Sequence, residues 1–571
     1  MDFMENFSLL YPKNSDRKEN TLTDEAVNDL SIDFIIDALT EDNYEKNLLK
    51  KIMVNVTDDK ETIEYRRDIF KDFLKFPELR NELSELVEKL ADLREIERFQ
   101  KDQEASSLWM LINRLREIDD YVNCITRIKE VLEKLDIQSK GMLTLKKIVT
   151  DIHDNSGFPE IKKDIDYMFE KARSFKSITI GVNLDKMLRP KNAGVVSLND
   201  TEFKSSKLMK NFLQFTTRKD ELHHGTDIED IHYFHPDSGV RSTTFSSIII
   251  GSVQQSATHN VHIETNELTG ADPLSDSLKK AVTSILKKIV KDIKSTLKKY
   301  ISISGYALIN LTPEIIFFIR WAELTDKIIA QGMPMCKAEI ESSELRNASF
   351  KEIYNLKLAI NNVNGDNIDI VTNDFSFNDN GRIFILTGPN RGGKTIITQA
   401  VGLAMLLSQW GIYVPASNAV ISPCDNIFTH FPADENNTVD LGRLGEESKR
   451  LSDIFSTASE KSLLLLNESL ATTNVSEGLF IAKDVVKAMR YLGTRAIFNT
   501  HMHELARDLD ELNASEGTST VASLITGVSN GQRSFKIKIA PPQGVSYAKD
   551  IAEKYGVTYD KIKERINTIK I

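Results

Sequence analysis

The chain has 571 residues, of which 41% are hydrophobic and 27% are charged, and this composition is typical of a globular protein of several domains. Its formal net charge of −11 excludes a surface that is basic throughout, so any nucleic-acid contact must come from a local patch. No apolar run approaches the roughly 18 residues of a membrane helix, the first residues lack the pattern of a secretion signal, and the three cysteines form no CxxC pair. We therefore expect a cytoplasmic protein, with no membrane association, no disulfide framework and no zinc ribbon.

The first stretch, about residues 20–180, has the leucine spacing of amphipathic helices. Leu79, Leu83 and Leu86 begin one stripe of alternating four- and three-residue steps, and a longer stripe starts at Leu108 and ends at Leu135. Such stripes predict helices that pack on each other. The second stripe is long enough for a lever or a coiled-coil arm, although a single leucine in it is more often ordinary bundle core.

Between about residues 175 and 275 the pattern changes to strands and polar loops. Residues 177–184 alternate like a strand, and residues 246–252 contain another apolar run. Four histidines between residues 223 and 235 lie among acidic side chains, but they lack the spacing of a zinc site. We interpret them as part of a solvated loop.

A lysine-rich helix is predicted from Leu278 to Leu297, and a further helix is predicted near Thr312, with Thr312 as its N-cap and Pro313 at its first position. A run of lysines is usually a solvated helix face. In an acidic protein it is also the best candidate for contact with the phosphate backbone of DNA. The candidate DNA-binding residues are Lys279, Lys280, Lys287, Lys288, Lys291 and Lys294.

Residues 383–395, IFILTGPNRGGKT, have the pattern of a P-loop between a buried strand and a helix. Glycines allow successive backbone N–H groups to surround a phosphate, and the start of the helix adds the positive end of its dipole. Lys394 would reach the β- and γ-phosphates of ATP, and the Thr395 hydroxyl would hold Mg²⁺. The predicted nucleotide-binding residues are Gly388, Pro389, Asn390, Arg391, Gly392, Gly393, Lys394 and Thr395.

Two later strands are predicted to end beside this loop. Four leucines from residue 463 lead to Asn467 and Glu468, and the apolar run that starts at Arg495 leads to His501. Ligands in open α/β sheets bind beyond the carboxyl ends of the strands, so we expect Glu468 to act as general base and His501 to sense the γ-phosphate. These two catalytic candidates favour water over a small-molecule acceptor as the nucleophile.

The motifs GPNRGGKT, LLLLNES and NTHMHEL, in this order and spacing, resemble the ATPase domain of the MutS family of DNA mismatch-repair proteins, an ABC-type ATPase. The resemblance is specific from about residue 373 to 556 and weaker through residues 25–340. It implies a C-terminal α/β ABC-type P-loop ATPase domain joined to a mainly α-helical core and lever region. It also implies ATP and Mg²⁺ as cofactors, a homodimer with composite ATP sites, and DNA clasped between helical arms.

The resemblance suggests a division of the chain into four parts. Residues 1–175 would form a helical core and first lever, and residues 176–275 a mixed insertion of loops and strands that is clamp-like. Residues 276–344 would hold the long basic helix and a second part of the core, and residues 345–571 the ATPase domain.

Two positions depart from the family pattern. Asn467 stands where MutS proteins usually have aspartate, so the metal ligands would be Thr395 and the neutral Asn467. Mg²⁺ prefers anionic oxygen, and we therefore expect weaker magnesium coupling and slow ATP hydrolysis. The segment 441–446 corresponds to the family's signature turn but lacks its serine, and its helix N-terminus could still meet a partner's γ-phosphate through backbone N–H groups.

The sequence also lacks a mismatch-reading wedge before the helical region and a nuclease-like Smr domain after Ile571, so we do not expect classical mismatch reading. Two functions stay open. The first is an ATPase that opens and closes helical arms around duplex, mismatched or branched DNA in repair or recombination. The second is an ATP-driven conformational switch that acts on protein partners without DNA. Steeply salt-dependent DNA binding would favour the first.

Overall fold

The computed structural model of the chain describes residues 7–13, 15–99, 108–154, 157–173, 176–188, 190–199, 291, 308–389, 392–432, 442–470, 475–529, 532–542, 553 and 555–569. The chain divides into two units. Unit 1 comprises residues 1–84, 131–147 and 310–571, and unit 2 comprises residues 85–130 and 148–309.

The helices begin with a series in the first third of the chain and continue after residue 308. They are α1 (Asp24–Asp29), α2 (Ile32–Leu39), α3 (Asn43–Met53), α4 (Lys60–Lys75), α5 (Pro77–Phe99), α6 (Leu108–Lys134), α7 (Lys140–Asp154), α8 (Gly157–Arg173), α9 (Thr312–Ala330), α10 (Leu356–Val363), α11 (Lys394–Gln409), α12 (Gly442–Thr457), α13 (Val475–Leu492), α14 (His503–Arg507), α15 (Leu509–Ala514) and α16 (Tyr559–Ile569). A short 3-10 helix covers Ser343–Leu345.

The strands concentrate in the C-terminal half. They are β1 (Asn20–Thr21), β2 (Asn55–Val56), β3 (Ser177–Leu184), β4 (Pro190–Asn199), β5 (Glu339–Ile340), β6 (Ala348–Ile353), β7 (Asn373–Phe377), β8 (Ile383–Thr387), β9 (Asn418–Ile421), β10 (Ile427–His430), β11 (Leu463–Asn467), β12 (Arg495–Asn499), β13 (Val521–Ser529) and β14 (Gln532–Ile539).

A six-stranded sheet in unit 1 has the order β10-β11-β12-β8-β13-β14. The first five strands are parallel, and β14 pairs antiparallel with β13. Every residue of β8, β11 and β12 is buried, which explains why these strands appear in the sequence as continuous apolar runs. Asn467 pairs in register with Asn499, and Asn499 pairs with Leu386, so the carboxyl ends of β11, β12 and β8 lie side by side.

A second sheet, of order β5-β9-β6-β7, accompanies the first in unit 1. Phe375 and Phe377 of β7 make edge-on contacts with each other, and Phe375 packs 5.2 Å from Phe384 of β8, measured between ring centroids. Such aromatic pairs bury a large apolar area. The strand that leads into the predicted P-loop is thus packed against the second sheet.

Helix α11 is buried on nearly all of its faces and is anchored at its C-terminal end by helical elements of unit 1. The Arg66 Nη1 group of α4 donates to the Gln409 carbonyl oxygen at 3.2 Å, and the Trp410 indole donates to the Asn55 carbonyl oxygen at 3.2 Å. The Trp410 ring also lies 6.1 Å from that of Trp321 in α9. The helix that follows the predicted P-loop therefore ends beside β2, α4 and α9.

Unit 2 contains most of α5 and α6, the end of α7, α8 and the hairpin β3–β4. The predicted leucine stripes are confirmed as helices, and Leu86, Leu90 and Val122 are buried. Lys162 Nζ of α8 lies 2.7 Å from Asp119 Oδ1 of α6, and this ion pair joins the two helices. The predicted strand at residues 177–184 is confirmed as β3.

Several predictions concern residues outside the described part of the chain. They include the strand at 246–252, the histidines between 223 and 235, and the basic helix apart from Lys291. The helix predicted near Thr312 is confirmed as α9, although Leu311 rather than Thr312 occupies the N-cap position. None of the helices that the structure describes is long and apolar enough to cross a bilayer.

Candidate active site

The loop between β8 and α11 has two positions that require glycine. Gly388 has φ +150°, and a Cβ atom there would lie 2.0 Å from Thr526 Oγ1. Gly393 has φ +88° at the N-cap of α11, and a Cβ atom there would lie 3.2 Å from Phe535 Cδ1. Residues other than glycine rarely adopt these backbone angles. Because Gly393 has no side chain that could accept from the first-turn N–H groups of α11, these groups suit an anionic ligand such as a phosphate.

Lys394 is the first residue of α11 and is 4% exposed. Its Nζ atom donates to the carbonyl oxygens of Gly388 and Pro389, each at 3.1 Å. Burial lowers the pKa of the Lys394 ammonium, and the charge of Glu468 opposes that shift. The cation is therefore held over the glycine loop, where phosphate oxygens could replace the two carbonyls as its partners. Asn390 and Arg391 lie outside the described residues.

Thr395 and Asn467 meet at the carboxyl end of β11. The Thr395 hydroxyl donates to Asn467 Oδ1 at 2.9 Å, and the Asn499 amide donates to the same oxygen. Asn467 is buried, and Asn499 Oδ1 and Thr387 Oγ1 are buried atoms without a hydrogen-bond partner in the described structure. These hard oxygen donors fit Mg²⁺, although none of them is anionic. Asn499 was not predicted, but its place at a strand end beside Asn467 is a usable sequence signal.

Glu468 follows β11 directly. Its backbone N–H donates to the Asn499 carbonyl oxygen at 2.8 Å, and its Oε1 atom lies 2.9 Å from His501 Nε2. The side chains of Glu468 and His501 are both partly exposed, at 39% and 36%. An accessible carboxylate whose orientation is fixed by an imidazole can accept a proton from water. The structure thus brings together the two residues that were predicted to be catalytic.

The backbone after β11 is strained. Glu468 has φ +53° and Leu470 has φ +64°, and the left-handed region costs a non-glycine residue about 1–2 kcal/mol. The Leu470 N–H donates to Glu447 Oε2 at 2.7 Å, and Ser469 Oγ lies 2.6 Å from His430 Nδ1. These polar partners were not predicted from the sequence. His430 ends β10 and could have been found by the strand-end rule, but no sequence signal marks Glu447.

The segment predicted to correspond to a signature turn opens α12, which begins at Gly442. Leu441 lies outside the described residues.

Asn373, which the sequence places upstream of the P-loop, is 6% exposed and bonded to backbone on both sides of its amide. Its Nδ2 donates to the Phe535 carbonyl oxygen at 3.2 Å, and its Oδ1 accepts from the Ile537 N–H at 2.8 Å. Asn373 therefore ties β7 to β14. Phe535, with φ +54° and a side chain beside Gly393, is an aromatic neighbour of the loop that the sequence did not indicate.

Two family models match the chain. Residues 384–563 match MutS domain V, and residues 58–331 match the MutS2 N-terminal domain. The chain belongs to the MutS family. Every predicted catalytic, nucleotide and metal residue of this MutS-family protein lies within the match to MutS domain V.

Curated relatives match part of the chain. The DNA mismatch repair protein MutS of Chlorobium limicola is 39% identical over 137 residues, which are 24% of this chain and 16% of the relative. MutS of Chlorobium chlorochromatii is 30% identical over 223 residues, covering 35% of this chain and 25% of the relative. DNA mismatch repair protein MutS 2 of Halobacterium salinarum is 34% identical over 143 residues, covering 25% and 17%. The matches thus span a quarter or less of these relatives.

Of the predicted DNA contacts of this MutS-family protein, Lys291 is the one that the structure describes. Lys291 is exposed. The other candidates, Lys279, Lys280, Lys287, Lys288 and Lys294, lie outside the described residues.

Proposed function

We propose that this MutS-family protein is a slow ATPase whose nucleotide state controls how its helical region holds duplex, mismatched or branched DNA. The observation that carries the proposal is the meeting of Lys394, Asn467, Glu468 and His501 around one edge of a parallel sheet. The order of the strands and the glycine loop support an ABC-type P-loop domain. A homodimer with DNA as its partner is part of the proposal.

Each residue has a stated task in this proposal. The loop glycines and Lys394 would hold the ATP phosphates, and the oxygens of Thr395 and Asn467 would hold Mg²⁺. When bound, Mg²⁺ supplies positive charge against the phosphate oxygens. Glu468 accepts the proton of the attacking water on its carboxylate, while His501 Nε2–H donates to Glu468 Oε1 and keeps that carboxylate oriented. The neutral Asn467 contributes no charge, which is the reason for expecting slow turnover.

Support for DNA as the partner comes from the family and from charge. The relatives are named DNA mismatch repair proteins, and the chain matches MutS models on either side of residues 332–383. The lysine-rich segment from residue 279 is a concentrated positive run in a protein of net charge −11. Phosphate contacts release counterions, so such a run gives binding that weakens steeply with salt.

Fluorescence anisotropy tests this proposal. Matched duplex, single-mismatch duplex and four-way junction DNA are titrated with the 571-residue chain, with and without ATP, at two salt concentrations. We expect ATP-modulated binding to at least one DNA, and Lys288→Glu should weaken it and lower the slope of log affinity against log salt by about 1. The control Lys327→Glu changes an exposed lysine of α9 and should leave both quantities unchanged.

Failure to bind any of the three DNAs, in protein shown to bind ATP, would contradict the DNA part of the proposal. The protein-partner switch would then be the better account.

A further inference from the structure

The turn after β11 holds Glu468, the proposed general base, in a backbone conformation that residues other than glycine rarely adopt. Glu468 and Leu470 both have positive φ, at +53° and +64°, and Ser469 lies between them. Such a conformation persists only where surrounding contacts determine it. The contacts that hold this turn therefore also decide where the Glu468 carboxylate lies.

The first of these contacts comes from α12. The Glu447 side chain is 9% exposed, and its Oε2 atom accepts the Leu470 N–H at 2.7 Å. A hydrogen bond from a backbone N–H to a carboxylate is short and strong because the acceptor is charged. Glu447 thus joins α12 to the residue that ends the strained turn.

The second contact comes from the end of β10. His430 is 1% exposed, with Nδ1 at 2.6 Å from Ser469 Oγ and Nε2 at 3.3 Å from the Glu447 carbonyl oxygen. Burial, together with the charge of Arg450, lowers the pKa of His430 to about 4, so the ring is neutral near pH 7. The Ser469 hydroxyl also donates to the His430 carbonyl oxygen at 3.0 Å, so both the ring and the backbone of His430 contact the turn. His430 therefore links β10, α12 and the turn.

We propose that Glu447, His430 and Ser469 are positioning residues for ATP hydrolysis. They hold the strained turn in the conformation that sets Glu468 beside His501, and they make the placement of Glu468 depend on the position of α12. This inference rests on the proposed ATPase function and adds to it residues that no motif marks. None of the three needs to touch nucleotide.

The test compares two substitutions at one position. Glu447→Ala removes the acceptor for the Leu470 N–H, whereas Glu447→Gln keeps an acceptor oxygen of nearly the same shape. We expect the Ala variant to lose about tenfold in kcat, equivalent to about 1.4 kcal/mol, with the Kd of a fluorescent ATP analogue unchanged, and the Gln variant to recover most of the rate. Asp453→Ala, an exposed acid on the same helix, is the control and should change neither quantity.

A second measurement does not depend on turnover. Hydrogen–deuterium exchange of the peptide containing residues 468–470 should be faster in Glu447→Ala than in the parent and close to the parent in Glu447→Gln. Ser469→Ala removes a single hydroxyl and should lower kcat in the same direction, which keeps the test open if Glu447→Ala folds poorly.

The outcomes separate this inference from the function on which it rests. A parent protein that binds ATP without hydrolysing it would overturn the ATPase proposal and the positioning role with it. A parent that hydrolyses ATP, with Glu447→Ala and Ser469→Ala at the parental rate or with unchanged exchange at residues 468–470, would overturn the positioning role alone.

Discussion

Asn467 is the residue at which this site differs most from a charged magnesium site. Its Oδ1 atom accepts from the Thr395 hydroxyl and from the Asn499 amide, so both hydrogen bonds would also suit a carboxylate. The surrounding donors therefore accommodate an anion that the chain does not supply. We therefore propose that Asn467 leaves the arrangement of the site unchanged and weakens only the predicted binding of Mg²⁺.

The substitution Asn467→Asp tests this interpretation. Adding an anionic oxygen to the predicted metal ligands should lower the Mg²⁺ concentration needed for half-maximal ATP hydrolysis, by about tenfold, and raise the maximal rate. The measurement is ATP turnover over a magnesium titration in both proteins. Identical magnesium curves would show that Asn467 does not set the metal dependence.

At the scale of elements, α11 begins at the predicted P-loop and ends beside β2 and α4. Gln409, at its last position, is 0% exposed. Its Nε2 donates to the carbonyl oxygens of Thr57 and Cys424 at 2.7 Å each, and its Oε1 accepts from Cys424 Sγ at 3.0 Å. This amide closes the junction between α11, the segment before α4 and the segment after β9.

Replacing Gln409 should therefore destabilise the protein. Gln409→Leu leaves two buried carbonyl oxygens without donors and should cost about 2–4 kcal/mol of unfolding free energy. Gln399→Leu is the matched control on the same helix, because Gln399 is half-buried and its side-chain amide donates to the Asp29 carbonyl oxygen at 2.8 Å. The free energy of unfolding of Gln399→Leu should fall by less than about 1 kcal/mol. Urea unfolding of both variants gives the comparison, and equal losses would show that the buried junction contributes nothing specific.

Much of the C-terminal half could be predicted from the sequence because its elements carry strong local signals. The strands β8, β11 and β12 are buried on both faces and therefore appear as unbroken apolar runs. Glycine at positions 388 and 393 follows from backbone angles that other residues avoid. The pairing of Glu468 with His501 followed from one rule, that parallel strands present their carboxyl ends at the same edge.

Other parts of the site depend on packing that no local pattern records. Glu447 is a glutamate on an amphipathic helix, and its burial and its bond to Leu470 result from the fit of α12 against the turn. Asn373 lies upstream of the predicted P-loop in the sequence, and both ends of its amide pair with the backbone of β14. Glu447 is 23 positions from Leu470, and Asn373 is 162 and 164 positions from its partners, so the tertiary fold decides these contacts and local sequence patterns do not predict them.

At the scale of the whole molecule, the two family models match different parts of the chain. The match to the MutS2 N-terminal domain covers residues 58–331, and the match to MutS domain V covers the whole predicted site. The first supports a helical region of the MutS kind, and the second supports a nucleotide site. The anchoring of α11 in unit 1 gives a physical route between the P-loop and helices α4 and α9, through Arg66 and Trp321.

The proposed function depends first on ATP hydrolysis at this site with Glu468 as the base. The most direct measurement is ATP turnover, with magnesium present, in the parent and in Glu468→Gln, together with the Kd of a fluorescent ATP analogue in each. The amide keeps a partner for His501 but cannot take a proton, so we predict unchanged Kd and a fall in kcat of at least about 100-fold. Equal turnover in the two proteins, or no ATP binding in the parent, would contradict the proposal that this site hydrolyses ATP with Glu468 as the general base.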